Sequence, residues 1–345
     1  MEPLFTKSPI FRSIAYKSVS DYRTNLINVA SKFNIATGFI SSDSLVELKR
    51  MVGFRKGELS VNLFIGMNYI DGFTQLQYAA LKDLNSYLHD NHYGRVYVSP
   101  HALYHGKMYS FLDASNNCLG SFIGSSNLAS FLSTSQSYIE SDMYFSGEEG
   151  SVIDKNIKSI IYDLGVDFSI AKPVSVFLPP ETDLLKGNER VTKLTDDEFG
   201  TAMTKLTAET VEIPLKTKPK SNLNTYFGAG KTPGRYSPRS WYEVELIVPK
   251  NTPNVEILPD KDAGQFTVIT PNHYAFQCER QGDYSKNLRS SGDLRILGKW
   301  IKGEMENAGV IRCGEMVTKE TLEAFGKSKI VFTKSTEDFW FISLQ

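Results

Sequence analysis

His105-Gly106-Lys107-Met108-Tyr109-Ser110-Phe111-Leu112-Asp113, followed shortly by Cys118-Leu119-Gly120-Ser121-Phe122-Ile123-Gly124-Ser125-Ser126-Asn127, is the stretch on which the reading of this chain turns. Residues 106–113 and 118–124 are short runs rich in aromatic and aliphatic side chains and predict neighbouring buried strands. Strand residues two apart project to the same face, so His105 and Lys107 point together. Gly124-Ser125-Ser126-Asn127 falls where the second strand turns into a helix over roughly 126–132, a place where backbone and side-chain donors can approach an anion closely. An imidazole can attack phosphorus, an ammonium can hold the phosphate charge, and a hydroxyl and an amide can grip its non-bridging oxygens. Together these groups suffice to cut a phosphodiester without a metal. A lone His-x-Lys would read as a surface strand with two polar residues; its spacing to Gly-Ser-x-Asn is what carries the chemistry.

Working outward, Asn34–Ile40 and Val61–Ile65 read as strands, and Ser41–Val52 and Phe73–His89 have helical periodicity with Ser41 or Ser42 as a cap. This alternation predicts an α/β domain with a mixed central sheet over residues 1–175. The proline-broken Lys172-Pro173-Val174-Ser175-Val176-Phe177-Leu178-Pro179-Pro180 and the polar stretch after it predict a linker over 176–200. From 201 to 345 short strands at Val244–Val248, Gln265–Ile269 and Ile330–Thr333, with helices near Leu294–Asn307 and Lys319–Phe325, predict a β-rich second domain.

With 345 residues, 41% hydrophobic and 22% charged, the composition is that of an ordinary globular protein with room for two domains, and a net charge of −1 gives no direction. Cys118, Cys278 and Cys313 are odd in number and far apart, which argues against a disulfide framework and for a reducing, cytoplasmic setting. No apolar run approaches the ~20 residues that span a bilayer, and Met1-Glu2-Pro3-Leu4-Phe5-Thr6-Lys7 does not read as a secretory signal. His89, Asp90 and His92 lie together without a third ligand cluster, so no metal site is expected. Gly228-Ala229-Gly230-Lys231-Thr232 imitates the tail of a phosphate-binding loop, but Thr225 stands where a glycine is required and Pro233 interrupts the helix that should follow. No cofactor is expected.

Residues 214–241 contain Lys216, Lys218, Lys220, Lys231, Arg235 and Arg239 with no acidic residue, interleaved with Tyr226, Phe227, Tyr236 and Trp241. Such a basic, Gly/Pro-punctuated stretch suits a phosphate backbone and groove edges, its bland alternative being a solvated loop. A second cluster, Arg280, Gln281, Asp283, Lys286, Asn287 and Arg289, supplies side chains that make bidentate contacts to base edges.

The first half of the chain resembles the phospholipase D superfamily through His105-x-Lys107 and Gly124-Ser125-x-Asn127. The nearest aspartate to the family's position is Asp113, one residue later than the family spacing, which reads as a strand-end or turn residue. The resemblance implies that Glu140, in Ser137-Tyr138-Ile139-Glu140-Ser141-Asp142-Met143, orients the histidine from the next strand. The whole chain resembles the NgoFVII-type restriction endonucleases. Ser237-Pro238-Arg239-Ser240-Trp241-Tyr242-Glu243 and Leu297-Gly298-Lys299-Trp300-Ile301-Lys302 are similar to the DNA-binding pseudobarrels of some restriction enzymes and plant transcription factors. That resemblance implies a bacterial or archaeal defence enzyme cutting double-stranded DNA at a specific sequence without Mg²⁺, with a companion DNA methyltransferase and, in some relatives, a separate ATPase or helicase-like subunit.

The expected mechanism is attack by His105 on phosphorus, with Lys107, Ser125 and Asn127 stabilising the charge and Glu140 holding the imidazole tautomer. A second histidine must protonate the leaving oxygen; with one His-x-Lys per chain it has to come from another subunit, in a homodimer formed through the first domain. The competing readings are a DNA-binding assembly module with a silent first domain, and a phospholipid phosphodiesterase of the same superfamily. The recognition sequence, the cleavage offset and any role of Asp113 are not readable from the residues.

Overall fold

Lys32–Thr37 and Ser60–Ile65 are apolar, β-branched and aromatic runs that pair in parallel, residue for residue from Lys32 with Ser60 to Thr37 with Ile65. They sit at the middle of the first of two units that the computed structural model resolves, Met1–Pro180 and Glu181–Ala229 with Arg239–Gln345. The structure describes residues 1–6, 17–132, 139–179, 183–188, 190–228 and 239–345.

In chain order the first unit runs β1 (Glu2–Phe5), α1 (Val19–Val29), β2 (Lys32–Thr37), α2 (Ser42–Phe54), β3 (Ser60–Ile65), α3 (Asn68–Asp71), α4 (Gln75–Asp90), β4 (Gly94–Val98), β5 (Met108–Leu112), β6 (Cys118–Gly124), α5 (Leu128–Leu132), β7 (Ser141–Phe145), α6 (Gly147–Leu164) and β8 (Val166–Asp167). The sheet order is β1-β7-β6-β5-β2-β3-β4-β8, parallel across β2-β3-β4 and antiparallel elsewhere. Parallel neighbours need crossover helices, and the sequence caps both: Ser41 forms a capping box with Ser44 at α2, and Thr74 with Gln77 at α4. Leu45, Leu48, Met51 and Val52 on α2 and Leu81, Leu84 and Leu88 on α4 repeat at helical spacing and bury against Phe33, Ile35, Leu63 and Ile65. The intervening strand residues Ala36, Phe64 and Met108 face the other way, onto Ile153 and Ile157 of α6. The result is the α/β, mixed-sheet architecture the alternation predicts.

The antiparallel turns bring several strand ends to one edge. Ala36 lies opposite Met108, Met108 opposite Ile123, and Gly124 opposite Asp142. The ends of β2 and β6 and the starts of β5 and β7 therefore converge.

The second unit holds β9 (Val191–Lys193), α7 (Asp196–Met203), β10 (Leu206–Pro214), β11 (Leu246–Ile247), β12 (Gln265–Ile269), β13 (Tyr274–Gln281), β14 (Asn287–Ser290), α8 (Ile296–Asn307), α9 (Lys319–Phe325), β15 (Lys329–Ser335) and β16 (Phe339–Leu344). Its sheet order is β10-β15-β16-β12-β13-β14-β11, with β9 added alongside β13. This is a curled half-barrel, open where β10 and β11 form its edges. Alternation on β13 buries Tyr274, Phe276, Cys278 and Arg280 and leaves Gln277 exposed.

Several element boundaries move. Residues 106 and 107 precede β5 rather than belonging to it, the strand expected over Val244–Val248 contracts to Leu246–Ile247, and α8 begins at Ile296. The stretch expected as a linker contains β9, paired with Tyr274–Phe276, and the start of α7; backbone pairing has drawn it into the second unit. The cysteines are free, Cys278 and Cys313 being buried. Among the described residues no helix is long and apolar enough to cross a membrane.

Lys302 is the least expected interior residue: fully buried on α8, it donates to the Trp241 carbonyl and lies 4.4 Å from the centroid of that indole. Burial pushes its ammonium down to about 7. The folded state thus binds this proton less tightly than the unfolded chain, so the cost of burying the ammonium is full below about pH 7 and fades as pH rises towards the ordinary lysine range. We predict that the stability of Lys302→Met relative to the parent is greatest, and level, at and below about pH 7 and falls progressively towards pH 10. Urea unfolding followed by tryptophan fluorescence measures it cleanly, because Trp241, Trp300 and Trp340 all lie in the second unit.

Candidate functional site

The convergent edge of the first sheet carries the predicted groups. His105 is exposed in the segment entering β5, whereas Lys107 is buried at 6% exposure. The Lys107 ammonium lies 3.1 Å from Nδ1 and 3.0 Å from Nε2 of His105, and donates to the His105 carbonyl at 2.6 Å. The two side chains point together as expected. An ammonium beside an imidazole donates to whichever ring nitrogen carries the lone pair. Burial lowers the Lys107 pKa, and the negative charge of Glu140 works in the opposite direction.

Gly124 donates its N–H to the Lys107 carbonyl at 3.2 Å, continuing the β5–β6 ladder and fastening the second motif beside the first. Asn127 stands before α5, its carbonyl accepting from Phe131 N–H at 2.8 Å. Its Oδ1 accepts from the backbone N–H of Phe39 at 3.3 Å.

Ser125 is exposed, but its hydroxyl already has partners: it donates to Glu140 Oε2 at 2.5 Å and accepts from Ser141 N–H at 3.0 Å. Glu140 also accepts from Ser130 Oγ at 3.3 Å. Within one chain, then, the Glu140 carboxylate is held by two serine hydroxyls instead of by the imidazole it was expected to orient. The reason is position: it precedes β7 and faces the turn after β6.

The residue missed from the sequence is Asp142. At 2% exposure it accepts from Ser126 Oγ at 2.5 Å and Ser126 N–H at 3.3 Å, and Tyr109 Oη donates to the Ser126 carbonyl at 2.6 Å. Desolvation raises the Asp142 pKa, with the Ser126 bonds opposing it. Asp142 thus ties down the middle of the Gly-Ser-Ser-Asn turn from below. The available signal was its place inside an apolar strand, where a carboxylate must be partnered. Asp113 caps its own turn, accepting from Ser115 N–H and Asn117 N–H at 2.8 Å each, as a turn residue should.

In the second unit the predicted contacts divide. Trp241 is 2% exposed and donates Nε1–H to the Glu315 carbonyl at 2.9 Å, so its expected place at a surface is corrected to the interior. Arg280, expected at base edges, is 6% exposed and donates to the carbonyls of Ser285 at 2.7 Å and Leu258 at 2.9 Å; it faces inward with Cys278 by strand alternation. Lys218, Asp283 and Lys286 are exposed, and Lys216 and Asn287 half-buried. Arg289 lies opposite Glu279 and pairs with it at 3.0 Å, while Gln281 Nε2 is 3.4 Å from the other Glu279 oxygen. Arg239 lies 3.6 Å from Glu243. Lys231 and Arg235 lie outside the described residues. No group of three or more His, Cys, Asp or Glu side chains that could hold a metal occurs among the described residues.

Comparison with known proteins assigns both halves. Residues 18–164 match the NgoFVII restriction endonuclease N-terminal PLD domain, and residues 201–336 the NgoFVII C-terminal B3-like DNA-binding domain. Among solved structures the chain is similar to Nuc, a phospholipase D family member from Salmonella typhimurium, at 13% identity over 48% of this chain and 96% of that one, with a TM-score of 0.33. It is also similar to the archaeal chromatin protein TrmBL2, at 9% identity over 42% of this chain and 50% of that one, with a TM-score of 0.28. No curated protein matches. The two matched stretches are the two halves of one protein type, in the same order and covering most of the sequence, and with His105, Lys107, Gly124 and Asn127 gathered at one sheet edge the chain belongs to the NgoFVII restriction endonucleases, site-specific nucleases with a phospholipase-D-type domain and a B3-like DNA-binding domain.

Proposed function

We propose that the chain hydrolyses double-stranded DNA without a metal ion, through a phosphohistidine at His105, as a homodimer. The observation that supports this best is the exposed imidazole with a buried ammonium 3.0 Å from its Nε2. In the first step a ring nitrogen of His105 attacks phosphorus; the N–P bond forms, the P–O bond to one DNA strand end breaks, and that oxygen takes a proton from His105 of the partner subunit. In the second, water gives a proton back to that imidazole and attacks phosphorus, breaking the N–P bond. Lys107 and the Asn127 amide hold the negative charge that builds on the non-bridging oxygens. Ser125 joins them by exchanging its bond to Glu140 for one to a phosphate oxygen.

Sequence recognition belongs in this reading to the second unit, with Lys216, Lys218 and Lys286 meeting phosphates and Arg289, Gln281 and Asn287 addressing base edges. In a restriction system the host's own sites are then protected by a companion methyltransferase.

Cleavage of plasmid DNA should persist in excess EDTA, and His105→Ala should lower it on the order of 10³-fold or more while leaving DNA affinity within about twofold. Activity that vanishes with EDTA and returns with Mg²⁺ would overturn the histidine mechanism. Mixing the parent with an excess of His105→Ala subunits should poison activity beyond simple dilution, because each hybrid dimer lacks one imidazole; a light-scattering mass of one chain for the active species would refute the dimer.

Gel-shift titrations separate the two kinds of contact. Lys216→Ala or Lys218→Ala should weaken binding to all duplexes and reduce the salt slope by ~1 each. Arg289→Ala should instead remove ~1–3 kcal/mol of preference for the cognate site over a scrambled one. Equal preference in the parent and Arg289→Ala would place recognition elsewhere.

A further inference from the structure

The His-x-Lys and Gly-Ser-x-Asn stretches are joined by backbone pairing, but the turn between β2 and α2 is what touches the working ends of both. Phe39 in that turn donates its N–H to Asn127 Oδ1 at 3.3 Å. Its ring meets the His105 imidazole edge-on, with centroids 5.7 Å apart and planes at 73°. Gly38 permits this approach: a Cβ there would lie 3.2 Å from both the Cα and the Cδ2 of His105, tighter than ordinary contact. Neither Gly38 nor Phe39 belongs to either motif.

We propose that Phe39 is a positioning residue for the nuclease reaction, its amide setting which way round the Asn127 carboxamide faces and its ring setting the tilt of His105. The proposal rests on the reading of His105 as nucleophile. A carboxamide presents an oxygen at one end of a flat plate and two N–H donors at the other. An N–H fixed at one end can donate only to the oxygen, so the Asn127 donors are turned away from Phe39 and left for an anionic oxygen. The imidazole torsion is broad and soft, and an edge-to-face aromatic contact narrows it. In-line attack on phosphorus needs the ring nitrogen on the P–O axis, and a misplacement of ~1 Å can cost ~10²-fold in rate. Phe39 brings no polar side-chain atom to the reacting groups, so its effect falls on turnover and not on binding.

The test uses the full-length protein and the small chromogenic diester bis(p-nitrophenyl) phosphate, which removes sequence recognition from the measurement. Phe39→Leu keeps the amide and most of the apolar volume but loses the ring; Phe39→Tyr keeps the ring. We expect Phe39→Leu to lower kcat ~10-fold or more with KM within about twofold, and to shift the His105 Hδ2 and Cδ2 NMR signals by loss of the ring current. Phe39→Tyr should retain parental values for both. Phe39→Met replaces the leucine variant if that one does not fold. Unchanged kcat in the ring-deleted variant, or a tyrosine variant as impaired as the leucine one, would overturn the proposal. Failure of the underlying reading shows separately, as undiminished diester hydrolysis by His105→Ala, while the NMR shift continues to test the ring contact itself.

Discussion

The hydrogen bond from Gly124 N–H to the Lys107 carbonyl joins the two halves of the nuclease motif, and the site depends on the register it sets. A slip of one residue between β5 and β6 would turn each side chain of one strand to the opposite face, separating the imidazole and ammonium from the serine and asparagine. Packing enforces the register from the far side. A Cβ on Gly124 would lie 2.3 Å from Asp142 Oδ1 and 2.4 Å from the Ser141 carbonyl, so β6 and β7 close together only because this residue has no side chain. That closure lets the buried Asp142 reach Ser126. The glycine of the motif is therefore a requirement of strand packing before it is one of phosphate approach.

Much of this was legible in the residues. The alternating α/β pattern, the pairing of His105 with Lys107, and the turn at Gly124 follow from periodicity and from the few residue types able to handle a phosphodiester. What was not legible came from competition between similar groups. Glu140 and Asp142 are two carboxylates two positions apart beside one strand; spacing to the motif favours the first, whereas depth in the sheet makes the second the buried anchor. An apolar strand signals that a carboxylate in it must be partnered, but not which of two neighbouring carboxylates lies deeper. The contacts of Phe39 with His105 and Asn127 are equally hidden, since they join segments distant along the chain.

In the second unit, counting basic residues misled for a reason the strand pattern could have exposed. Tyr274, Phe276, Cys278 and Arg280 alternate on β13, and the arginine falls on the apolar side of that alternation. Arg280 and Lys302 act there as internal ties, their donors spent on backbone carbonyls of loops that the open half-barrel cannot pair within its sheet. The pair of Asn224 with Val317 does the same work without charge, Nδ2 donating to the carbonyl at 2.8 Å and Oδ1 accepting from the N–H at 2.9 Å. An arginine used in this way spends these donors inside the domain and not on a duplex outside.

The pairing of β1 with β7 joins segments far apart in the first unit. Glu2 lies opposite Tyr144 and Phe5 opposite Ser141, and Thr6 Oγ1 accepts from the Glu140 N–H at 2.9 Å. Near in sequence, β1 has only the Phe5 N–H bond to the Lys17 carbonyl at 3.1 Å, and its partner strand lies far along the chain. Domains fold largely as units during synthesis, N-terminal first, so the cutting half can be finished while most of the reading half is still inside or just outside the ribosome. A nascent chain thus completes its phospholipase-D-type domain before its DNA-binding one.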